Sequence, residues 1–272
     1  MDKSGNIKVV RTPKYPVQTV EKAMDVFDLL SKDQYREGIS ISELSKELDM
    51  GKSTVHRILE TMVAKNYIDQ NDETKKYQLG WKLFEVGNVI PRQRNLYNVD
   101  NRILQNLCDA SEETVNLGVR VKESVVTIFK TSPKTSLIAN LQIGAREPLH
   151  ATAMGKVLIS EMTREEVVNI LGDQPLESYT SNTITRLDDL MVELEKIRRK
   201  GYSIDDEEVC AGLTCVAMPV RDFKNEIVAA VSVSGASIRM TFNKIQGIQE
   251  NLEEATYRLS TFLGWQQKQD DR

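Results

Sequence analysis

The stretch GKSTVHRILETMVAKN, residues 51–66, restricts the fold more than any other part of the chain. After Gly51, the side chains of Val55, Ile58, Leu59, Met62 and Val63 recur at intervals of three and four, one unbroken apolar face of a helix. Just before it, GISISELSKELDM opens on Ser40-x-x-Glu43, a capping box with Ile39 and Leu44 placed as its hydrophobic staple, so a second, short helix is predicted there. Just after it, YIDQNDETKKYQLG reads as two short alternating runs around NDETKK, which predicts a hairpin. A further helix, VQTVEKAMDVFDLLS after Pro16, is expected to bury Val20, Ala23, Met24, Phe27 and Leu30. Two helices across a tight turn, followed by a hairpin, make a winged helix-turn-helix.

Gly51-Lys52-Ser53-Thr54 also matches the end of a nucleotide-binding phosphate loop. Such a loop needs another glycine five residues earlier, after a strand, so that backbone N–H groups curl around the phosphates. Lys46 stands at that position, inside a helical pattern. The nucleotide-hydrolase reading fails on both counts.

The 272 residues suffice for two domains with their own cores, and 40% apolar against 28% charged residues is the balance of a soluble globular protein. No apolar run approaches the roughly 18 residues of a membrane span, and the first residues lack a signal-peptide core. Three cysteines make no disulfide framework, which points to a reducing cytoplasm. Cys210 and Cys215, with only His56 and His150 elsewhere, give poor support for zinc, so no metal and no cofactor are expected. The net charge of −4 argues against a nonspecific nucleic-acid coat. Residues 1–80 are themselves neutral, but residues 1–16 form a basic arm, with Lys3, Lys8, Arg11 and Lys14 against Asp2. That arm is either a solvated tail or a follower of the DNA backbone.

Residues 81–98 are expected to form a linker helix, broken near Gly87 and Pro91. Residues 99–272 alternate strand and helix patterns. TVNLGVRV, SVVTIFK, SLIANLQI, TCVAMPVRD and EIVAAVSVSG read as strands, and the short links KES and DFKN predict antiparallel hairpins. Helices are predicted near Thr152, after the capping box Thr163-x-x-Glu166, and through RLDDLMVELEKIRRK with Gly201 as its stop. A last helix carries Ile245, Ile248, Leu252, Ala255, Leu259 and Phe262, suited to packing on a sheet or to a seam with a partner helix. The fold class is α+β with a largely antiparallel sheet.

With its apolar stripe buried, the helix after Gly51 presents Lys52, Ser53, Thr54, His56, Arg57 and Thr61. Small hydroxyl residues in a first turn let phosphates approach free N–H groups. Arg57, one turn on, can reach a base edge, and a bidentate pair with guanine gives roughly 1–3 kcal/mol of discrimination. His56 adds hydrogen-bonding capacity, and Lys75 and Lys76 on the wing suit flanking phosphates, or are plain surface charge. One recognition helix makes few contacts, so a palindromic or repeated double-stranded operator and at least a homodimer are expected.

GKSTVHRILETMVAKNYI followed by YQLGWKLFEVGN resembles the helix-turn-helix and linker of IclR-type bacterial transcriptional regulators. LHATAMGKVLIS, KIRRKGYSIDDEEVCAGLTCVAMPVRD and AAVSVSG resemble the effector-binding domain of the same family, so the likeness runs from about Val17 to Trp265 with its blocks in order. The resemblance implies a GAF-like effector domain, dimers through the DNA-binding end, often tetramers through the effector domains, and a small carboxylate effector. Matching the family's pocket pattern are Thr152, Ala153, Met154, Asp205, Leu213, Cys215, Ser232 and Ser234. Ala153 and Met154 offer N–H groups at a helix start, although they replace smaller side chains of some members. Ser232 and Ser234 fall on one face of a strand, and Met154 and Leu213 are placed as an apolar wall.

Asp205 sits awkwardly beside an acidic ligand unless it accepts from hydroxyls or is protonated. That favours a sugar acid or a hydroxy/keto acid, against the plainer reading that these acids cap a turn or pair with Arg198 or Arg199. Repression of a catabolic operon is the expected output, with activation as the alternative. A thiol hydrolase built from Cys215, His150 and an acid of DDEE has no spacing to support it, because VSVSG lacks the first glycine of a nucleophile elbow. No catalytic residue is assigned. The third class is a protein-interaction module whose wing binds a protein in place of DNA.

Overall fold

In the computed structural model, which describes residues 14–90, 101–133, 142–173 and 175–266, the cap read at Ser40 is formed in both directions. Glu43 N–H donates to Ser40 Oγ at 3.3 Å, and Ser40 N–H donates to Glu43 Oε2 at 2.9 Å. This starts α2 (Ile41–Glu47), which follows α1 (Gln18–Leu30) and precedes α3 (Lys52–Ala64). The hairpin is β1 (Ile68–Gln70) paired antiparallel with β2 (Tyr77–Leu79), and α4 (Trp81–Gly87) comes next.

Ile39, Leu44, Val55, Ile58, Leu59, Met62 and Ile68 close one core, with Val63 at its margin. The stripe of α1 differs from the expectation. Val26, Leu29 and Leu30 are buried, Ala23 and Phe27 pack at the edge, and Val20 and Met24 are exposed. Spacing alone made Val20 and Met24 look internal; the core of this unit reaches only the second half of the helix.

The chain divides into two compact units, 1–94 and 95–272. In the second, α5 (Asn101–Ser111) leads into β3 (Thr114–Val121), β4 (Ser124–Thr131), β5 (Arg146–Pro148), α6 (Ala153–Ile159), α7 (Arg164–Leu171) and α8 (Leu187–Lys200). β6 (Ser203–Asp206), β7 (Leu213–Arg221), β8 (Ile227–Ala236) and α9 (Phe242–Phe262) complete it. The six strands form one sheet in the order β5-β4-β3-β8-β7-β6, with every neighbouring pair antiparallel. Period-two alternation sorts the side chains. Val115, Leu117, Val216, Val231 and Val233 face α5 and α9, while Val125, Cys215, Ala217 and Ala230 face α6 and α8.

Thr163 and Glu166 cap α7 reciprocally, and Gly201 ends α8 in the left-handed region at φ 78°. α9 spends its stripe on the sheet through Ile248, Leu252, Ala255 and Leu259, while Phe262 is exposed. β5 and β6 are additions to the expected strands. Residues 1–13 of the basic arm, 91–98 of the linker with Pro91, and most of SLIANLQI lie outside the described residues. Among the described residues, no helix is long and apolar enough to cross a membrane, and no His/Cys/Asp/Glu group is placed to hold a metal.

Candidate functional site

α3 begins at Gly51, which has no side chain to accept from the first N–H groups of the helix. Lys52, Ser53, His56, Arg57 and Thr61 are exposed and Thr54 is half-buried, all on the side away from the Val55–Leu59–Met62 stripe. Arg57 makes no salt bridge among the described residues. Thr61 Oγ1 donates to the Arg57 carbonyl at 2.9 Å, and His56 Nδ1 lies 3.3 Å from Glu60 Oε2. Glu60 was absent from the sequence reading, although its i,i+4 relation to His56 was the available signal. A carboxylate there can accept from a cytosine amino group. Lys75, exposed at φ 56°, and half-buried Lys76 lie between β1 and β2, in a turn where Asn71 Oδ1 accepts from Glu73 and Thr74 N–H.

The second unit buries polar groups in rows on the face of the sheet beneath α6. Asp205, Cys215, Ser234 and Thr114 stand opposite one another on β6, β7, β8 and β3, and Ser203, Ala217, Ser232 and Asn116 form the next row. All eight side chains are buried. Asn116 Nδ2 donates to Ser232 Oγ and to Ser234 Oγ, each at 3.4 Å. Over these rows, α6 starts at Thr152, whose Oγ1 accepts from Gly155 N–H at 3.0 Å and donates to the Pro148 carbonyl at 2.8 Å. Ala153, Met154, Leu213 and Cys215 belong to one apolar cluster.

Asp205 is 2% exposed, and its Oδ1 accepts from Glu208 N–H at 2.7 Å, so it does cap a turn. Arg198 and Arg199 are not its partners; both turn to Glu195. Burial, with Glu208 alongside, lifts the Asp205 carboxyl to about 7. The nearby cation is Lys156 of α6, itself buried, whose Nζ bonds Glu208 Oε1 and donates to the Ile204 carbonyl at 2.7 Å. Burial raises Glu208 despite the attraction of Lys156. Burial also pushes the Cys215 thiol far up, with the Asp205 carboxylate adding to it, so Cys215 stays a neutral thiol. His150, the imagined base, is engaged elsewhere, with Nε2 2.9 Å from the Glu177 carbonyl and its ring against Tyr179.

Both units match known families. Residues 19–72 fit the IclR helix-turn-helix domain, and residues 90–261 fit the C-terminal domain of bacterial IclR transcriptional regulators. The chain belongs to the IclR family. It is 35% identical over 252 residues to the transcriptional regulator KdgR of Escherichia coli K12, covering 91% of this chain and 94% of that protein. The transcriptional repressor AllR of Salmonella typhi is 30% identical over 253 residues, covering 93% and 92%. The crystal structure of Thermotoga maritima IclR overlays with a TM-score of 0.77 at 30% identity, over 92% of this chain and all of that one.

This IclR-family protein is therefore a DNA-binding transcriptional regulator, and its relatives are regulators, not enzymes. Its effector-side candidates from sequence are brought together around one buried layer. The sequence reading missed Asn116, Ser203, Thr127, Lys156 and Glu208. Asn116 was detectable as an amide between Val115 and Leu117 in an otherwise apolar strand, and Lys156 as a lone cation among Val157, Leu158 and Ile159.

Proposed function

We propose that this IclR-family protein represses a catabolic operon and releases it when a small organic acid bearing carboxylate and hydroxyl groups enters the pocket under α6. The observation that carries this reading is the register of Asp205, Cys215 and Ser234 beside Ser232 and Asn116, buried polar groups of four strands collected under one helix. The N–H groups of Ala153 and Met154 with the serine hydroxyls receive the carboxylate, and Asp205 accepts from a ligand hydroxyl. Met154 and Leu213 wall the carbon chain. The AllR relative is a transcriptional repressor, which supports the sign of regulation.

On the DNA side, Lys52, Ser53, Thr54, His56, Arg57 and Thr61 enter a major groove and Lys75 and Lys76 reach flanking phosphates. The protein acts in the cytoplasm as a dimer or tetramer on a repeated half-site. Exposed apolar side chains on the N-terminal unit, among them Val20, Met24, Trp81 and Phe84, are the kind of surface that a second copy covers. Residues 1–80 make the DNA-binding domain, 81–98 the linker helix and 99–272 the effector domain. Ligand binds one conformation better than the other, and the coupling amounts to about 1–3 kcal/mol, roughly 5- to 150-fold in DNA affinity.

The test is a gel shift of the full chain on the DNA upstream of its own gene, titrated with a panel of sugar acids and hydroxy/keto acids. Release of DNA by at least one of them is expected. Retention with every acid, together with no thermal shift by any, overturns the effector reading.

A further inference from the structure

Among the described residues, Asn116 Oδ1 and Thr127 Oγ1 are buried with no hydrogen-bond partner, in side chains that are both 0% exposed. Folded proteins rarely tolerate this, because a buried polar group without a partner costs about 1–3 kcal/mol. Both belong to the ligand-side layer. Asn116 stands opposite Ser232, and its amide nitrogen is already committed to Ser232 and Ser234. Thr127 stands opposite Gly118, two residues beyond Asn116 on β3, where a Cβ would lie 2.9 Å from the Met154 sulfur. Gly118 thus lets the methionine of α6 lie directly on the sheet next to Thr127, and a methionine is readily displaced into another rotamer.

We propose that Asn116 and Thr127 form the hydroxyl-reading end of the effector pocket, so that the cognate acid is polyhydroxylated and its carbon chain runs from the Ser232/Ser234 pair towards Thr127. The inference rests on the reading of this face as the acid-binding pocket and extends it by naming what recognises the rest of the ligand. Ser232 and Ser234 on β8 and Thr127 on β4 stand on either side of β3, two inter-strand steps or about 10 Å apart. A chain of several carbons covers that span, and a two-carbon acid does not. The chemistry also selects. Asn116 Oδ1 can only accept, so a ligand that offers carboxylate and keto oxygens alone leaves it unsatisfied. Hydroxyls donate to Asn116 and Asp205 and exchange hydrogen bonds with Thr127. A site built to bond hydroxyls rejects analogues without them, because its own groups are then left unpaired.

The experiment is calorimetry on the full chain with two probe sets, polyhydroxylated aldonic acids of four to six carbons, and hydroxyl-free 2-keto acids of the same lengths. At least one hydroxylated acid is expected to bind tenfold or more tightly than its length-matched partner. Thr127→Val removes a hydroxyl that has no partner among the described residues, so its thermal midpoint should hold or rise while affinity for the hydroxylated acid falls about tenfold. Affinity of Thr127→Val for hydroxyl-free acids should stay unchanged. Equal affinity for the two sets, or unaltered binding of the hydroxylated acid by Thr127→Val, overturns the inference and leaves the acid pocket standing. Ser234→Ala separates the two, since it should weaken both sets. If it weakens neither, or no acid of either set binds, the pocket reading fails and this inference with it.

Discussion

Lys156 of α6 and Glu208 of the β6–β7 turn form an ion pair with both side chains out of solvent, although 52 residues separate them in the chain. The pair fastens α6 to the turn that follows Asp205. A second set of bonds holds the same turn from outside, where Thr183 Oγ1 donates to the Glu208 carbonyl at 2.6 Å and Thr180 Oγ1 to the Glu207 carbonyl at 2.6 Å.

Removing one partner of a buried pair strands the other charge. Lys156→Met is expected to lower the unfolding free energy by about 3–5 kcal/mol, and Lys156→Met with Glu208→Leu to recover most of it. Urea unfolding of the three proteins checks this. A double variant no more stable than the single one would show that the pair is not the source of the loss.

Asp205 makes binding and stability depend on pH. Its folded value of about 7 lies above the ordinary 3.8, so its stabilising contribution is complete below 3.8 and is lost as the pH rises through about 7. The limiting slope for one group is about 1.4 kcal/mol per pH unit. Above pH 7 the charged Asp205, with Glu208 beside it and Lys156 opposing, repels a ligand carboxylate. Affinity for a hydroxyl-free acid should therefore fall between pH 6 and 8.5, and Asp205→Asn should flatten the profile. A wild-type profile as flat as that of the variant removes Asp205 from the pocket.

Arg57 lies on the exposed side of α3, without a salt bridge among the described residues. Arg57→Ala should weaken operator binding by about 1–3 kcal/mol and relax preference at one base position, whereas Lys75→Ala should weaken all sequences alike and lower the salt dependence. Gel shifts on operator variants at two salt concentrations distinguish them. Identical effects of the two substitutions would place Arg57 on phosphate only.

Gly155 lets α6 start tightly against the segment before it. An added Cβ would meet the Leu149 backbone and lie 2.6 Å from Thr152 Oγ1, the atom that caps the helix. Gly155→Ala should cost about 1–3 kcal/mol in thermal unfolding and weaken acid binding as well, because the helix start is displaced. Full stability of the variant would show that α6 has slack at its first turn.

The local devices were legible before any coordinates. The stripe Val55–Val63 specified α3 and its outward face, Ser40/Glu43 and Thr163/Glu166 specified two helix starts, and Gly201 specified a helix end. TVNLGVRV, SVVTIFK, TCVAMPVRD and EIVAAVSVSG specified the four strands of the sheet's centre. Each rests on relations between residues two, three or four apart, and those are fixed by backbone geometry alone. Where burial depended on distant elements the reading slipped, as at Val20 and Met24 in α1, and in the short strands β5 and β6.

The sequence by itself therefore determined the two kinds of unit, the residues a recognition helix shows to solvent, and the serines that share a strand face. Only the tertiary structure decided that Asp205, Cys215, Ser234 and Asn116 meet in adjoining rows, that Lys156 is buried against Glu208, and that Asn116 and Thr127 each hold a polar atom without a partner among the described residues. Strand order, register and the pairing of buried charges follow from closing a chain over long separations, where the winning contacts are those that leave the fewest polar groups stranded, and no short stretch of residues carries that sum.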